Sequence, residues 1–275
     1  MLLVQLSDLH IKPPGALAYR RVDTAASLAR AIARVNALAP RPDAVLVTGD
    51  LVDRGTAEEY RHLKTFLDTL EIPYWLLIGN HDAREPLREV FADRPELREG
   101  GEFVQYAVDL GALRVIALDS MQPGQSAGTL CEARLAWLAD QLDAARGKPV
   151  IVALHHPPFD CGIAHMDAIR LDPRAAERLE ALIARHPNVE RVLCGHVHRP
   201  MFVRFGGTIA SAAPAPAHQV TLDLAPGAPS TFTLEPPAYA MHRYDARGGL
   251  VTHHGYVDAF DGPYPFHDPS GELIA

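Results

Sequence analysis

Leu2-Leu3-Val4-Gln5-Leu6-Ser7-Asp8-Leu9-His10 is an apolar run that stops at two side chains able to bind a metal. Four later stretches repeat the pattern. Ala44 to Val47 leads to Gly49-Asp50-Leu51-Val52-Asp53-Arg54-Gly55, and Tyr74 to Ile78 to Gly79-Asn80-His81-Asp82. Val150 to Leu154 leads to His155-His156-Pro157-Pro158, and Val189 to Cys194 to Gly195-His196-Val197-His198. Apolar runs of this length that end in a turn read as buried strands of a largely parallel sheet. Their C-terminal ends then converge on one edge, where open α/β sheets bind ligands.

Asp8, His10 and His198 offer one carboxylate and two imidazoles, a donor set that suits Fe, Mn, Co or Zn better than Ca or Mg. Asn80, His156 and His196 could supply a second site. Asp50 is the natural bridge, because each of its two carboxylate oxygens can take one ion. The expected cofactor is a pair of divalent transition-metal ions. Two such ions roughly 3.5 Å apart can acidify a water, clamp a phosphoryl oxygen and stabilise a leaving oxygen. Each cluster alone has an ordinary explanation, since Asp-x-His, Gly-Asp and Gly-Asn also serve turns and caps. Gly195-His196-Val197-His198 is more specific, because alternation puts both imidazoles on one side of an extended segment. Five clusters in one order argue against coincidence.

In that order the clusters resemble the pattern of the calcineurin-like metallophosphoesterase superfamily: D-x-H, G-D, G-N-H, H and G-H-x-H. Within it the chain is most similar to the bacterial class III phosphodiesterases, which include glycerophosphodiester-cleaving and cyclic-nucleotide-cleaving enzymes. Arg41-Pro42-Asp43-Ala44-Val45, His155-His156-Pro157-Pro158, Ala217-His218-Gln219-Val220 and Ala240-Met241-His242-Arg243 resemble the glycerophosphodiesterase branch. The resemblance implies an α/β fold, a four-layer α/β/β/α sandwich with a C-terminal β-rich extension. It also implies hydrolysis of small phosphodiesters, either glycerophosphodiesters or 3′,5′-cyclic nucleotides, by a metal-activated hydroxide at a dinuclear centre. The alternatives are a nucleotide pyrophosphatase, a phosphomonoesterase on the same site, or a non-catalytic interaction module of the same fold. Such modules typically lose ligands or the histidine of Gly-Asn-His, and this chain keeps them.

Asp50 and His81 are the expected catalytic residues. His81 adjoins Asn80 but is not needed as a ligand, which frees its imidazole to contact the phosphate or protonate the leaving alkoxide. The plainer role is to orient its neighbour; the resemblance implies the former. Asn80, His81, His218 and Tyr19 are the expected substrate contacts, His218 because it resembles a substrate-facing histidine of the branch. His155 precedes the expected ligand His156 and by strand alternation should face away, as a buried structural histidine. Asp53 and Arg54 read as a local ion pair or a helix start; Cys161 and His165 lie in the loop after His156 and could border the pocket, with solvent-facing loop positions as the plainer reading. His253, His254 and His267 read as surface or subunit contacts.

Between the clusters lie segments patterned as covering helices: Asp23 to Leu38, the stretch after a capping box at Thr56-Ala57-Glu58-Glu59, and those around Leu135, Leu138 and Leu142 and around Leu179, Leu182 and Ile183. Phe103 to Val108 and Leu113 to Leu118 predict a hairpin around Leu110-Gly111. Phe202 to Phe205, Thr208 to Ala212 and Gln219 to Leu224 predict short strands, with prolines interrupting the region from Pro214 to Pro237. The expected division is a di-metal domain over 1–200, then sheet completion and an extension with oligomer contacts over 201–275. A comparable extension contributes to subunit exchange in the glycerophosphodiesterase branch, which implies a homo-oligomer.

A chain of 275 residues, 48% hydrophobic, can bury a full core. Its net charge of -8 and the absence of a Lys/Arg-rich tract exclude long nucleic acid as a partner. A small anionic diester can still be drawn in by bound cations. The N-terminus opens directly on a strand, so no signal peptide is expected, and no apolar stretch approaches the roughly 20 residues of a membrane helix. Cys131, Cys161 and Cys194 lack C-x-x-C spacing, so reduced cytoplasmic thiols are expected.

Overall fold

The first three apolar runs become β1 (Leu2–Leu6), β2 (Ala44–Thr48) and β3 (Tyr74–Leu77), paired in parallel in the computed structural model, which describes residues 1–274. Helices α1 (Thr24–Asn36) and α2 (Ala57–Leu67) connect them, and a short α3 (Arg84–Val90) follows. Asp23 caps α1 by accepting from Ala26 N, and Thr56 and Glu59 form the expected reciprocal capping box on α2. The chain then crosses to a second sheet through the hairpin β4 (Tyr106–Leu110) and β5 (Leu113–Ala117), which turns at Gly111 with φ 61°. β4 starts later than expected because Val104 N donates to the Asp119 carboxylate and Phe103 N to Gly100 O, not to a neighbouring strand.

Helix α4 (Glu132–Ala144), β6 (Val150–Ala153), the short α5 (Ala164–Asp167), α6 (Pro173–Ile183) and β7 (Val189–Cys194) continue this second half. β8 (Met201–Phe205) and β9 (Thr208–Ala212) complete the sheet in the order β4-β5-β6-β7-β9-β8. β10 (Gln219–Val220) and β11 (Phe232–Thr233) pair only with each other, and β10 is shorter than the expected strand to Leu224. β12 (Ala238–Asp245) returns to lie antiparallel to β1, with β13 (Gly249–Tyr256) at the edge, giving the order β13-β12-β1-β2-β3. The C-terminal quarter therefore finishes both sheets, where the sequence pattern pointed to one.

Alternate residues of the second sheet serve two cores. Val115, Ala117, Ile151, Ala153 and Leu193 face the first sheet, in a continuous core that extends through that sheet to Leu28, Ile32, Tyr60 and Leu63 of α1 and α2. Ile116, Val150, Val152 and Val192 pack instead with Leu135 and Leu138 of α4 and Leu179 and Leu182 of α6. This is the α/β/β/α sandwich. Each fully buried Leu, Ile or Val side chain contributes roughly 1.5–3 kcal/mol, enough to anchor strands as short as the four residues of β3. Gln5, buried between the sheets, donates to Thr48 Oγ1 and to Cys194 O at 2.9 Å each, tying the ends of β2 and β7 together. Among the described residues no helix is long and apolar enough to cross a membrane.

Candidate metal centre

The loops after β1, β2, β3, β6 and β7 meet at one edge of the sandwich. Five side chains there sit on left-handed backbone: Asp8 (φ 58°), His10 (45°), Asp50 (48°), His196 (71°) and His198 (57°). Such backbone costs roughly 1–2 kcal/mol per residue and persists only where its surroundings over-determine it. Asp8 N donates to Gly49 O, His10 N to Asp50 O, and His196 N to the Asp8 carboxylate. Asp82 braces the second loop against the third. Its carboxylate accepts from Gly79 N (2.8 Å), Leu51 N (3.1 Å), Val52 N (3.3 Å) and the Tyr60 hydroxyl (2.9 Å). Its only trace in the sequence is its place directly after Gly79-Asn80-His81.

Two pairs of imidazole nitrogens face each other at this edge. His10 Nε2 and His198 Nε2 are 3.1 Å apart, and His155 Nε2 and His196 Nδ1 are 3.2 Å apart. In each pair only one nitrogen can carry the shared proton, and two neutral rings turned lone pair to lone pair repel unless a cation lies between them. Asp50 Oδ2 lies 3.6 Å from His10 Nε2 and 3.3 Å from His155 Nε2, so a single oxygen faces both pairs. Oδ1, expected to take an ion of its own, accepts from His81 N at 2.9 Å. Asp8 Oδ1 stands 3.5 Å from His198 Nε2. Asn80 Oδ1 and His196 Nε2 are buried without a hydrogen-bond partner.

Protonation follows from burial. It holds His10 well below the usual histidine range, His196 at about 3 and His198 at about 4, which keeps these rings neutral with lone pairs to donate. Burial also lowers His155, but the adjacent Asp50 carboxylate outweighs it and raises this ring to about 9. The protonated His155 Nε2 therefore faces the Asp50 carboxylate at 3.3 Å.

His155 corrects the expectation that alternation turns it away. β6 ends at Ala153, so strand geometry no longer governs the next residues. His155 Nδ1–H donates to Thr48 O at 2.8 Å, which directs Nε2 toward Asp50 and His196. His156, expected in the ligand set, has both ring nitrogens engaged, Nδ1 with Ser120 Oγ at 2.8 Å and Nε2 with Ser126 O at 3.2 Å. One nitrogen each from His155, His156 and His196 falls within 4.8 Å of the others. Of the two neighbours, only His155 turns a nitrogen toward Asp50 and His196; both His156 nitrogens are engaged by the two serines.

The edge opens into a cavity of about 360 Å³ bordered by Asp50, Asn80 and His81 among others. His81 Nδ1–H donates to Asp53 O at 2.8 Å, which leaves Nε2 as its free nitrogen. Burial lowers the pKa of His81, but the Asp50 carboxylate and the Asp53 carbonyl more than offset this and raise it. Tyr19, His218 and Phe232 form an aromatic wall, with ring centroids 4.9–5.5 Å apart. Phe232 was not legible beforehand, because β11 is a two-residue strand in a proline-rich stretch. His165 is half-buried and borders the cavity, the alternative to the plainer solvent-facing reading. Asp53 pairs with Lys12 and, at 3.8 Å, with Arg54. Cys161 is half-buried beside Ile163 and Val197, and His253, His254 and His267 are exposed.

Residues 1–200 match the family model for calcineurin-like phosphoesterases. The chain belongs to this family. It is 41% identical to a probable glycerophosphodiester phosphodiesterase, GpdQ, from Arcobacter nitrofigilis, over 100% of both chains. It is 35% identical to GpdQ of Enterobacter lignolyticus, covering 98% of this chain and 95% of that one. It is 34% identical to the 3′,5′-cyclic adenosine monophosphate phosphodiesterase CpdA of Pseudomonas aeruginosa, covering 94% and 90%. A dimetal phosphatase from Danio rerio shares the fold with a TM-score of 0.63 at 15% identity, over 92% of this chain and 98% of that one.

Calcineurin-like phosphoesterases use divalent metal ions, and the paired imidazoles, shared carboxylate oxygen and unpartnered Asn80 oxygen fit such ions. The phosphoesterase loops leave no room for a side chain at Gly79, where a Cβ would lie 2.2 Å from Asp50 Oδ1 and 2.6 Å from Asp50 N. Gly79→Ala is expected to push Asp50 aside and lower stability by about 1–3 kcal/mol. Thermal unfolding with and without chelator checks this. The variant should melt lower and lose most of the stabilisation that added metal gives the parent protein.

Proposed function

We propose that the chain is a dinuclear metal-dependent phosphodiesterase that cleaves small phosphodiesters, with glycerophosphodiesters as its first substrate class. The observation that carries this reading is the pair of facing imidazole couples sharing Asp50 Oδ2 at the floor of the cavity. One couple with Asp8 forms the first donor set, His10, His198, Asp8 and Asp50. The other forms the second, His155, His196, Asn80 and Asp50, with His155 in place of the expected His156. When bound, the two ions acidify a water and offset charge on the phosphoryl oxygens. Ligand chemistry suits Fe, Mn, Co or Zn.

The chain's own groups do the rest. Asp8 and Asp50 hold the donor sets together through the backbone amides of His196 and His81. His81, fixed by its bond to Asp53 O, carries its second proton on Nε2 and hands it to the departing alkoxide. Tyr19 and His218 bound the space of one ester arm. The choice of glycerophosphodiesters rests on the 41% identity over the full length of a probable glycerophosphodiester phosphodiesterase. Cyclic nucleotides are the second reading, favoured by the 34% match to CpdA and by a Tyr19–Phe232 wall on which a base can stack. Exposed Phe260, Tyr264, Phe266 and Leu273 in the tail support a homo-oligomer, and the free cysteines support a reducing cytoplasmic setting.

Hydrolysis of a matched panel by Mn- or Co-reconstituted protein tests the assignment: bis(p-nitrophenyl) phosphate, p-nitrophenyl phosphate, glycerophosphoethanolamine and 3′,5′-cyclic AMP, each with and without chelator. Chelator-sensitive preference for diesters is expected, with the glycerophosphodiester ahead of the cyclic nucleotide. Preference for the monoester, or turnover that survives metal removal, would overturn it.

A further inference from the structure

Ala240-Met241-His242-Arg243, one of the stretches behind the family resemblance, lies on β12, away from the cavity lining. Its histidine is nonetheless enclosed, at 1% exposed, and is bonded through both ring nitrogens: Nε2 lies 3.0 Å from Gln5 Oε1 and Nδ1 2.9 Å from Thr252 Oγ1. The direction of every bond in this series is determined. Gln5 must turn its amide nitrogen toward Thr48 Oγ1 and Cys194 O, because a carbonyl oxygen can only accept. Its Oε1 therefore faces His242, which must donate from Nε2 and accept at Nδ1. Thr252 gives its hydroxyl proton to Nδ1 and accepts in turn from Arg191 Nη1 at 3.2 Å. Burial holds His242 at about 3, so the ring stays neutral in this one tautomer.

The inner end of the series reaches the metal centre from both sheets. Thr48 precedes Gly49-Asp50 at the end of β2, and its carbonyl accepts from His155 Nδ1; Cys194 precedes Gly195-His196 at the end of β7. Each proposed donor set also draws on both sheets, with Asp8, His10, Asp50 and Asn80 on loops of the first and His155, His196 and His198 on loops of the second. Ligand distances therefore depend on the offset between the sheets, and a metal site must be held to within roughly 0.5 Å. Apolar contacts between the sheets are non-directional and leave that offset loose. The two bonds from the Gln5 amide fix it. The junction has little slack, since a Cβ at Gly195 would lie 2.1 Å from Ser7 Oγ and 2.9 Å from Thr48 O.

We infer that His242 is a positioning residue for the metal centre: by holding the Gln5 amide in one orientation it sets the offset between the ends of β2 and β7, and with it the spacing of Asp50, His155 and His196. Without the His242 donor, the Gln5 amide is free to turn over, which brings Oε1 against the Cys194 carbonyl oxygen and drives the two strand ends apart. The inference rests on the donor sets proposed above, and it gives the C-terminal strand β12 a part in metal binding although it brings no ligand.

Cobalt(II) titration of the metal-free protein, followed by visible absorption and by competition with a chelator, tests this without turnover. The parent is expected to bind two equivalents. His242→Phe, which fills the space but has no donor, should weaken binding of the pair about tenfold, at the low end of the loss usual for groups behind metal ligands, and should alter the cobalt bands. His242→Gln, whose amide reaches as far as Nε2, should restore most of the affinity. Gln5→Met should weaken the pair to a similar extent, and Gln5→Met combined with His242→Phe should be no worse than either alone, because the two residues act in one series. A role confined to stability would lower the melting temperature of His242→Phe and leave cobalt affinity and spectrum at parent values, which would overturn the inference. So would His242→Gln as weak as His242→Phe, or additive losses in the combined variant. A parent that binds fewer than two equivalents would overturn the donor sets themselves, and the inference with them.

Discussion

Asp50→Ala is expected to lower phosphodiester turnover by more than about a thousandfold, equivalent to about 4 kcal/mol of lost transition-state stabilisation. It should also leave the purified protein with fewer than two equivalents of metal. The reason is geometric. Asp50 Oδ2 faces both imidazole pairs, 3.6 Å from His10 Nε2 and 3.3 Å from His155 Nε2, nearer to His155 than Asp8 Oδ1 at 4.0 Å. Removing it takes the shared anion from both proposed donor sets at once and frees the His81 amide that Oδ1 accepts from. Metal analysis by emission spectrometry and steady-state kinetics on the same preparation check the two parts together. His81→Ala provides the contrast. In the proposed mechanism its imidazole contributes a proton and no ligand, so both metals should stay while hydrolysis of alkyl diesters slows by about a hundredfold. Aryl diesters, whose leaving group needs little protonation, should slow much less. Metal retained in full by Asp50→Ala, or lost from His81→Ala, would refute this division of roles.

The second large effect separates two adjacent histidines. His155→Ala is expected to cost about a thousandfold in turnover and roughly one equivalent of metal, because it removes one member of the His155–His196 couple and the partner of Asp50 Oδ2. His156→Ala should keep its metal. It loses bonds to Ser120 and Ser126, worth about 1 kcal/mol each, and opens a cavity against Gly128, so the effect should appear as a lower melting temperature. Because Ser126 borders the cavity and its carbonyl is bonded to His156, His156→Ala should also raise KM more than it lowers kcat. If metal content fell with His156→Ala and not with His155→Ala, the proposed donor set would have to be exchanged.

Much of this protein is legible in its sequence because the relevant physics is short-ranged. An apolar run cut off at Asp8, Asp50 or Asn80 specifies a buried strand and a polar loop within ten residues. Thr56 and Glu59 specify the start of α2 because a capping box closes within one turn, and it forms as expected. The spacing of His196 and His198 and the order of the five clusters likewise point to the family that the comparisons establish. The tertiary structure was needed wherever the deciding partner lies far along the chain. The direction of the His155 ring depends on the Thr48 carbonyl, 107 residues away, because beyond Ala153 no strand periodicity constrains it. The pairing of β12 with β1 joins Leu2 to Arg243, and no local pattern carries that register. His165 and Phe232 meet at one cavity only because α5 is packed on Val197 and β11 on Val220, contacts that no window of the sequence contains. Local periodicity thus determined the strands, the caps and the polar loops at their ends, whereas long-range packing alone decided which faces of those loops look inward and which side chains share the cavity.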